Sequence, residues 1–170
     1  MKYNYLLIGL TLLLSLPVMA QKQPPTNDAP LAPTAPADRP VSVVATPAEA
    51  SAALAAFKRH IAPAIKQGQA SLPQAKRRFL QGLPDGQVFF VTTCLTDPDG
   101  SFEQVFVRVR QWQDKQVSGL IANELGNVKT FQQNQLITFS EAVVFDWTIS
   151  RPDGTEEGNY IGKLLDADSR

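Results

Sequence analysis

The spacing of the large apolar residues changes once along this chain, near residue 85, and that change constrains the fold more than any other feature. Before it, Leu54, Phe57 and Ile61 recur at the spacing of an amphipathic helix. After it, valines occupy alternate positions within 104–110, as in a strand with one buried face. Because the helical pattern comes first and the strand pattern follows, the sequence predicts an α+β fold with an antiparallel sheet.

The helical part contains two helix-start signals. Thr46-Pro47-Ala48-Glu49 places a capping hydroxyl before a proline at the first helical position, with Glu three residues after the cap. Pro63 is expected to interrupt this helix, and Ser71-Leu72-Pro73-Gln74 is expected to begin another. The sequence therefore predicts two or three N-terminal helices that pack on the sheet.

The part after residue 85 is predicted to form about five or six antiparallel strands. Two segments, 97–100 and 151–154, contain Pro-Asp-Gly and are expected to form hairpin turns. Neither has the alternating oxygen ligands, ending in a bidentate Glu, of a calcium loop, so no metal site is expected there. The predicted strands are 87–96, 104–110, 117–122, 136–139, 143–149 and 157–162.

The N-terminus has the pattern of a secretory signal peptide. Lys2 is followed by an apolar run over 6–16, by Pro17 and by the small-residue end Val18-Met19-Ala20. The apolar run is shorter than the ~20 residues that a membrane-spanning helix needs. We therefore expect a cleaved leader over 1–20, no transmembrane helix in the mature form, and a periplasmic or secreted bacterial protein.

The next segment is rich in proline. Residues 21–47 hold seven of the 13 prolines of the chain, interleaved with small and polar residues. Such a composition lacks the large apolar side chains that offset chain entropy, so residues 21–46 are predicted to be a disordered tether. A single α+β domain is then expected over 47–170.

Composition excludes several classes of protein. The chain has 16 basic and 16 acidic residues, which argues against a nucleic-acid partner, since binding to phosphates needs an excess of Lys and Arg. One cysteine excludes an intrachain disulfide, and one histidine excludes a His-rich metal centre. No phosphate-binding glycine loop or zinc spacing is present, so no cofactor and no metal is predicted.

The charges divide between the two parts of the chain. Basic residues dominate 48–82, and acidic residues dominate 84–170. Solvated surfaces account for such a division in most proteins. A weaker alternative is that Lys76, Arg77 and Arg78 bind anionic lipid.

Three short motifs resemble those of a known family. They are Asn123-Glu124, Asp146-Trp147 and the segment Gly158-Asn159-Tyr160-Ile161-Gly162. Their order and spacing resemble the YegJ-like bacterial domain of unknown function (the DUF2314 family) over residues 62–162. The sequence departs from the family at Leu125, where proline is usual, and at Ile161, where threonine is usual. The resemblance implies a compact α+β domain, often exported, and implies no particular reaction.

The same motifs supply the candidate site. We expect their polar and aromatic side chains to meet in one polar–aromatic cluster that joins the last strands. If this cluster is open to solvent, it is the best binding surface on the molecule. The predicted binding residues are Asn123, Glu124, Asp146, Trp147, Asn159 and Tyr160.

Two functions from different classes fit these residues. The first, which we favour, is a non-enzymatic module that binds an unknown ligand or protein of the bacterial envelope. The alternative is a cell-wall or glycan hydrolase, in which Glu124, Asp146 and Glu157 are the candidate catalytic carboxylates. A catalytic pair of Cys94 and His60 is not expected, because His60 lies on the polar side of a helix and Cys94 within a strand.

Overall fold

The computed structural model describes residues 47–168, so the leader and the tether predicted from the sequence lie outside the described part. Within it, two helices and a six-stranded antiparallel sheet form an α+β architecture, which confirms the predicted fold class. In chain order the elements are α1 (Pro47–Gln81), β1 (Val88–Thr96), β2 (Phe102–Gln113), β3 (Gln116–Ile121), β4 (Leu136–Ser140), β5 (Asp146–Ser150), β6 (Glu156–Gly158) and α2 (Tyr160–Asp168).

The predicted break in the N-terminal helix is wrong, because α1 continues through both Pro63 and Pro73. Each internal proline removes one helix hydrogen bond, which costs about 3 kcal/mol in an isolated helix. Tertiary packing outweighs that cost, since Ile61 and Ala75, on either side of the prolines, are buried against the rest of the domain. The expected cap residue Ser71 instead donates its hydroxyl to the Gln67 carbonyl within the same helix.

The strands follow the order β4-β3-β2-β1-β5-β6, and each neighbouring pair is antiparallel. Alternation along the strands gives the sheet two faces. The face that carries Phe89, Val107 and Ile149 packs against α1 and forms the main core. The opposite face holds a smaller buried cluster of Val88, Phe90 and Phe106.

Two predicted strands differ from those observed. Residues 143–149 contain the end of a short 3₁₀ turn, Glu141–Val143, and only then enter β5. The predicted last strand is the three-residue β6, after which the chain turns into α2. The strand ends at Gly158, because Gly158 and Asn159 have positive φ values of 80° and 53° that turn the backbone out of the extended conformation. The described part thus has two helices, one of which is C-terminal.

Neither α1 nor α2 is both long and apolar enough to cross a bilayer; this search covered residues 47–168.

Candidate functional site

The polar–aromatic cluster forms where β5 meets the N-terminus of α2. Asp146 accepts hydrogen bonds from the Trp147 N–H (2.8 Å) and the Ile161 N–H (2.9 Å). The Asn159 side-chain oxygen accepts one from the Gly162 N–H (3.2 Å). Because the first N–H groups of a helix have no partner within it, these two side chains cap α2 and hold it against β5.

Asp146 is the most perturbed acid of the described residues. It is 1 % exposed, and this burial raises its pKa from 3.8 to about 6. The N–H groups of Ile161, Trp147 and Tyr160 oppose the shift, as does the positive charge of Lys163. A raised carboxyl pKa is common at functional sites. Here both oxygens are occupied by backbone donors, so the geometry indicates a structural cap.

Trp147 joins the cluster to the core. Its ring lies parallel to that of Phe89, with centroids 6.2 Å apart, and meets the edge of Tyr160 at 6.3 Å. Its indole N–H donates to the Ser71 hydroxyl of α1 (2.9 Å). Trp147 is 3 % exposed and belongs to the main core.

Two glycines permit the close approach of backbone around this cluster. A Cβ atom on Gly158 would lie 2.1 Å from the Trp147 carbonyl oxygen, and the positive φ of this residue also disfavours a side chain. A Cβ atom on Gly68 of α1 would lie 2.7 Å from Asp146 Oδ1. Glycine is therefore required at both positions for α1, β5 and α2 to meet.

Asn123 and Glu124 do not join this cluster, so the expectation that all six residues meet is wrong for these two. They follow β3, and β2 and β1 lie between β3 and β5. Asn123 accepts a hydrogen bond from the Phe106 N–H (2.9 Å) and donates one to the Glu124 carbonyl (3.0 Å). Its role is to anchor the loop that leaves β3, and the Glu124 side chain is exposed.

The three candidate catalytic carboxylates lie at three places in the fold, after β3, on β5 and on β6. Glu124 follows β3 and Asp146 lies on β5, with β2 and β1 between these two strands. Glu157 accepts ion-pair hydrogen bonds from Arg78 (2.6 Å) and Arg151 (2.8 Å). No group of three or more His, Cys, Asp or Glu residues within 47–168 is placed to hold a metal ion.

Two buried carboxylates were missed by the sequence reasoning. Glu103 accepts hydrogen bonds from the backbone N–H groups of Gly126, Asn127 and Val128, at 2.9–3.3 Å. Asp97 accepts the Lys129 N–H (2.5 Å), and this bond is the main cause that lowers its pKa. A signal was present in the sequence, because Glu103 occupies a position of β2 whose alternate neighbours are the buried valines.

Two basic residues of α1 form ion pairs with acidic residues from the C-terminal part of the chain. Lys76 pairs with Glu141 at 2.5 Å and lies over the Trp112 ring, 4.9 Å from its centroid. The Trp112 indole N–H donates to the same carboxylate (2.8 Å), and these bonds, led by that of Lys76, lower the pKa of Glu141. With Arg78 paired to Glu157, two of the three cations considered for lipid binding face protein carboxylates.

His60 and Cys94 lie on different elements, α1 and β1. His60 is exposed and hydrogen-bonds Asp168 of α2 at 2.7 Å. Cys94 is a half-buried free thiol in β1, and burial raises its pKa to about 11. A thiol with so high a pKa is a poor nucleophile near neutral pH.

β4 forms one edge of the sheet, and its outer backbone groups are open. The Glu141 N–H donates to the Lys115 carbonyl and the Ile121 N–H to the Gln135 carbonyl, so odd-numbered positions of this segment bond to β3. Successive residues of a strand direct their backbone groups to opposite sides. The N–H and C=O groups of Leu136 and Thr138 therefore point outward, and within 47–168 no residue pairs with them.

This edge lacks the features that usually block pairing with another chain. β4 reads Leu-Ile-Thr-Phe-Ser, without a charged residue or a proline, and Leu136 is 63 % exposed. The opposite edge, β6, is three residues long and carries Glu156 and Glu157. The open edge of β4 is therefore the second candidate site, and the sequence reasoning missed it because strand order is not visible in a sequence.

The comparisons with known proteins agree with the motifs. A family model described as "Uncharacterized protein conserved in bacteria (DUF2314)" matches residues 48–168, which is most of the chain and nearly all of the described part. Searches of curated proteins and of solved structures gave no match. The extent of the family match confirms the resemblance seen in the sequence: the chain belongs to the DUF2314 family.

Proposed function

We propose that this protein is an exported, non-enzymatic interaction module of the bacterial envelope, and that β4 is its recognition edge. The observation that carries the proposal is the outward row of unpaired N–H and C=O groups on an uncharged edge strand. Such an edge binds an extended segment by strand addition, in which main-chain hydrogen bonds supply affinity and alternate side chains supply specificity.

The carboxylates support a binding role over hydrolysis. Asp146 is buried behind α2, and Glu157 is paired with two arginines. Glu124 follows β3, which two strands separate from the β5 strand of Asp146. General acid–base hydrolysis needs two carboxyl groups that face one substrate across a cleft. The residues of the polar–aromatic cluster thus hold β5 and α2 together, and the open edge of β4 is left as the surface for a partner.

Export is supported by the leader-like residues 1–20 and the Pro-rich residues 21–46, both outside the described part. A fusion of residues 1–46 to alkaline phosphatase tests it, because this reporter is active only after export. We expect phosphatase activity in the periplasm or medium. Activity no higher than that of a fusion lacking residues 1–20 would refute the export proposal.

Affinity capture from an envelope extract tests the binding role. The wild-type chain is compared with Thr138→Pro, which removes one outward N–H without breaking a backbone bond inside the sheet. The control is Thr138→Val, which keeps that N–H and loses the same hydroxyl contact to Ser118. We expect a protein retained by the wild type and by Thr138→Val and lost with Thr138→Pro. Equal retention by all three baits would contradict the assignment of the edge, and release of soluble fragments from purified cell wall would contradict the non-enzymatic role.

A further inference from the structure

We infer that the segment that pairs with β4 is β4 of a second copy of this chain, in an antiparallel arrangement about a two-fold axis at Thr138. The inference rests on the proposed function, in which β4 is the recognition edge, and it names the partner. A two-fold axis brings the same surface of both copies together, so the edge must be complementary to itself.

The register of β4 meets this condition. In this register Thr138 lies opposite Thr138 of the other copy, and Leu136 lies opposite Ser140. All three are even-numbered positions, whose backbone N–H and C=O groups point away from β3. Thr138 of each copy then donates to and accepts from the other, and the Ser140 N–H of each copy reaches the Leu136 carbonyl of the other. The Leu136 N–H of each copy donates to the Ser140 carbonyl of the other in the same pairs, so six backbone hydrogen bonds form without displacing any bond to β3.

The side chains of β4 are also complementary in this register. Ile137 and Phe139 are half-buried and pack against the main core of their own domain. In the two-fold pair, Ile137 of one copy lies opposite Phe139 of the other, at the short cross-strand distance of a non-hydrogen-bonded pair. The two cores become continuous on the α1 side of a twelve-stranded sheet, since each copy contributes its six strands.

No charge opposes this pairing. β4 contains no ionisable residue, and Glu141, which follows it, is engaged by Lys76 and by the Trp112 indole. On the opposite face the central residues are two threonines, whose side chains are exposed in the single copy. Thr–Thr pairs are favourable across antiparallel strands.

A charge-exchange experiment tests the arrangement. In the proposed pair the two residues at 138 are direct cross-strand neighbours, so Thr138→Lys and Thr138→Glu each place like charges opposite one another. We expect a wild-type dimer in light scattering and native mass spectrometry, monomers for each variant alone, and a mixed dimer when the two variants are combined. Thr96→Lys and Thr96→Glu, at an exposed position on an interior strand, serve as controls and are expected to remain dimeric.

The outcomes separate this inference from the proposed function. Circular dichroism and amide exchange of the β1–β2 pair verify that each variant is folded. A wild-type chain that is monomeric at all concentrations, or a dimer that survives all the substitutions at 138, overturns the second copy as partner. If the monomeric chain still captures another protein in a manner that Thr138→Pro abolishes, the recognition edge stands and its partner is a different protein. If the wild-type chain is monomeric and captures no protein in a manner that Thr138→Pro abolishes, both proposals are overturned.

Discussion

The buried carboxyl of Asp146 makes a specific prediction about stability and pH. Its pKa is about 6 in the folded protein, whereas the ordinary value is 3.8. The folded state therefore binds this proton more tightly than the unfolded chain, and the stability that results is fully present below 3.8 and is lost as the pH rises through 6. The difference of about two pKa units corresponds to about 3 kcal/mol in total.

Only part of this free energy appears between pH 7 and pH 5, because Asp146 binds its proton progressively as the pH falls through 6. Asp97, Glu141 and Asp153 have lowered pKa values and stay ionised above about pH 5. Between about pH 7 and pH 5 the Asp146 contribution increases the free energy of unfolding by about 1 kcal/mol. The protein should accordingly become more stable on mild acidification.

Urea unfolding at a series of pH values measures this slope. The series is run with His60→Gln in the background, which removes the one histidine of the chain. Asp146→Asn removes the titrating group and should abolish the slope, whereas Glu124→Gln, at an exposed acid, should retain it. A stability that falls between pH 7 and pH 5, or an equal slope with and without Asp146, would refute the argument from burial.

Three further predictions concern the local surroundings of single residues. Gly158→Ala should destabilise the fold by about 3 kcal/mol or more, since a clash with the Trp147 carbonyl is added to backbone strain. Gly154 has a similar φ of 80° but open space around it, so Gly154→Ala should destabilise the fold by only about 1–2 kcal/mol. Thermal unfolding of both variants checks the difference, and equal losses would contradict it. Asn123→Ala should cost about 1–3 kcal/mol, because the buried Phe106 N–H loses its acceptor; denaturant unfolding checks this, and an unchanged midpoint would refute it. Alkylation of Cys94 near pH 8 should be about 100-fold slower in the folded protein than in urea, because its pKa is about 11 against an ordinary 9; similar rates would show that the thiol is not desolvated.

The sequence predicts the elements whose pattern is local. β1, β2 and β3 lie within a few residues of their predicted positions because their apolar residues alternate over a sheet with a buried face. The division of α1 into two helices was wrong because local helix-start signals at Ser71 and Pro73 were overridden by packing. The sequence shows that an internal proline destabilises a helix, but it does not show the buried surface that compensates for the lost stability.

The C-terminal helix could not be predicted, because its start depends on residues far away in the chain. Asp146, which caps it, lies 15 residues before its partner Ile161. Four of the motif residues meet in the cluster, as expected. The sequence could not show that β1 and β2 separate Asn123 from the others. The edge position of β4 is likewise a property of strand order, which depends on contacts between distant segments.

The capping of α2 by a side chain of β5 bears on how deletion mapping of this protein should be interpreted. A chain that stops before residue 160 would leave the carboxylate of Asp146 without its Ile161 donor, in a position that α2 otherwise covers. Such a fragment would lose structural integrity together with whatever activity is assayed. Point substitutions on the exposed strand edge, rather than C-terminal truncations, are therefore the sound way to locate the contact region.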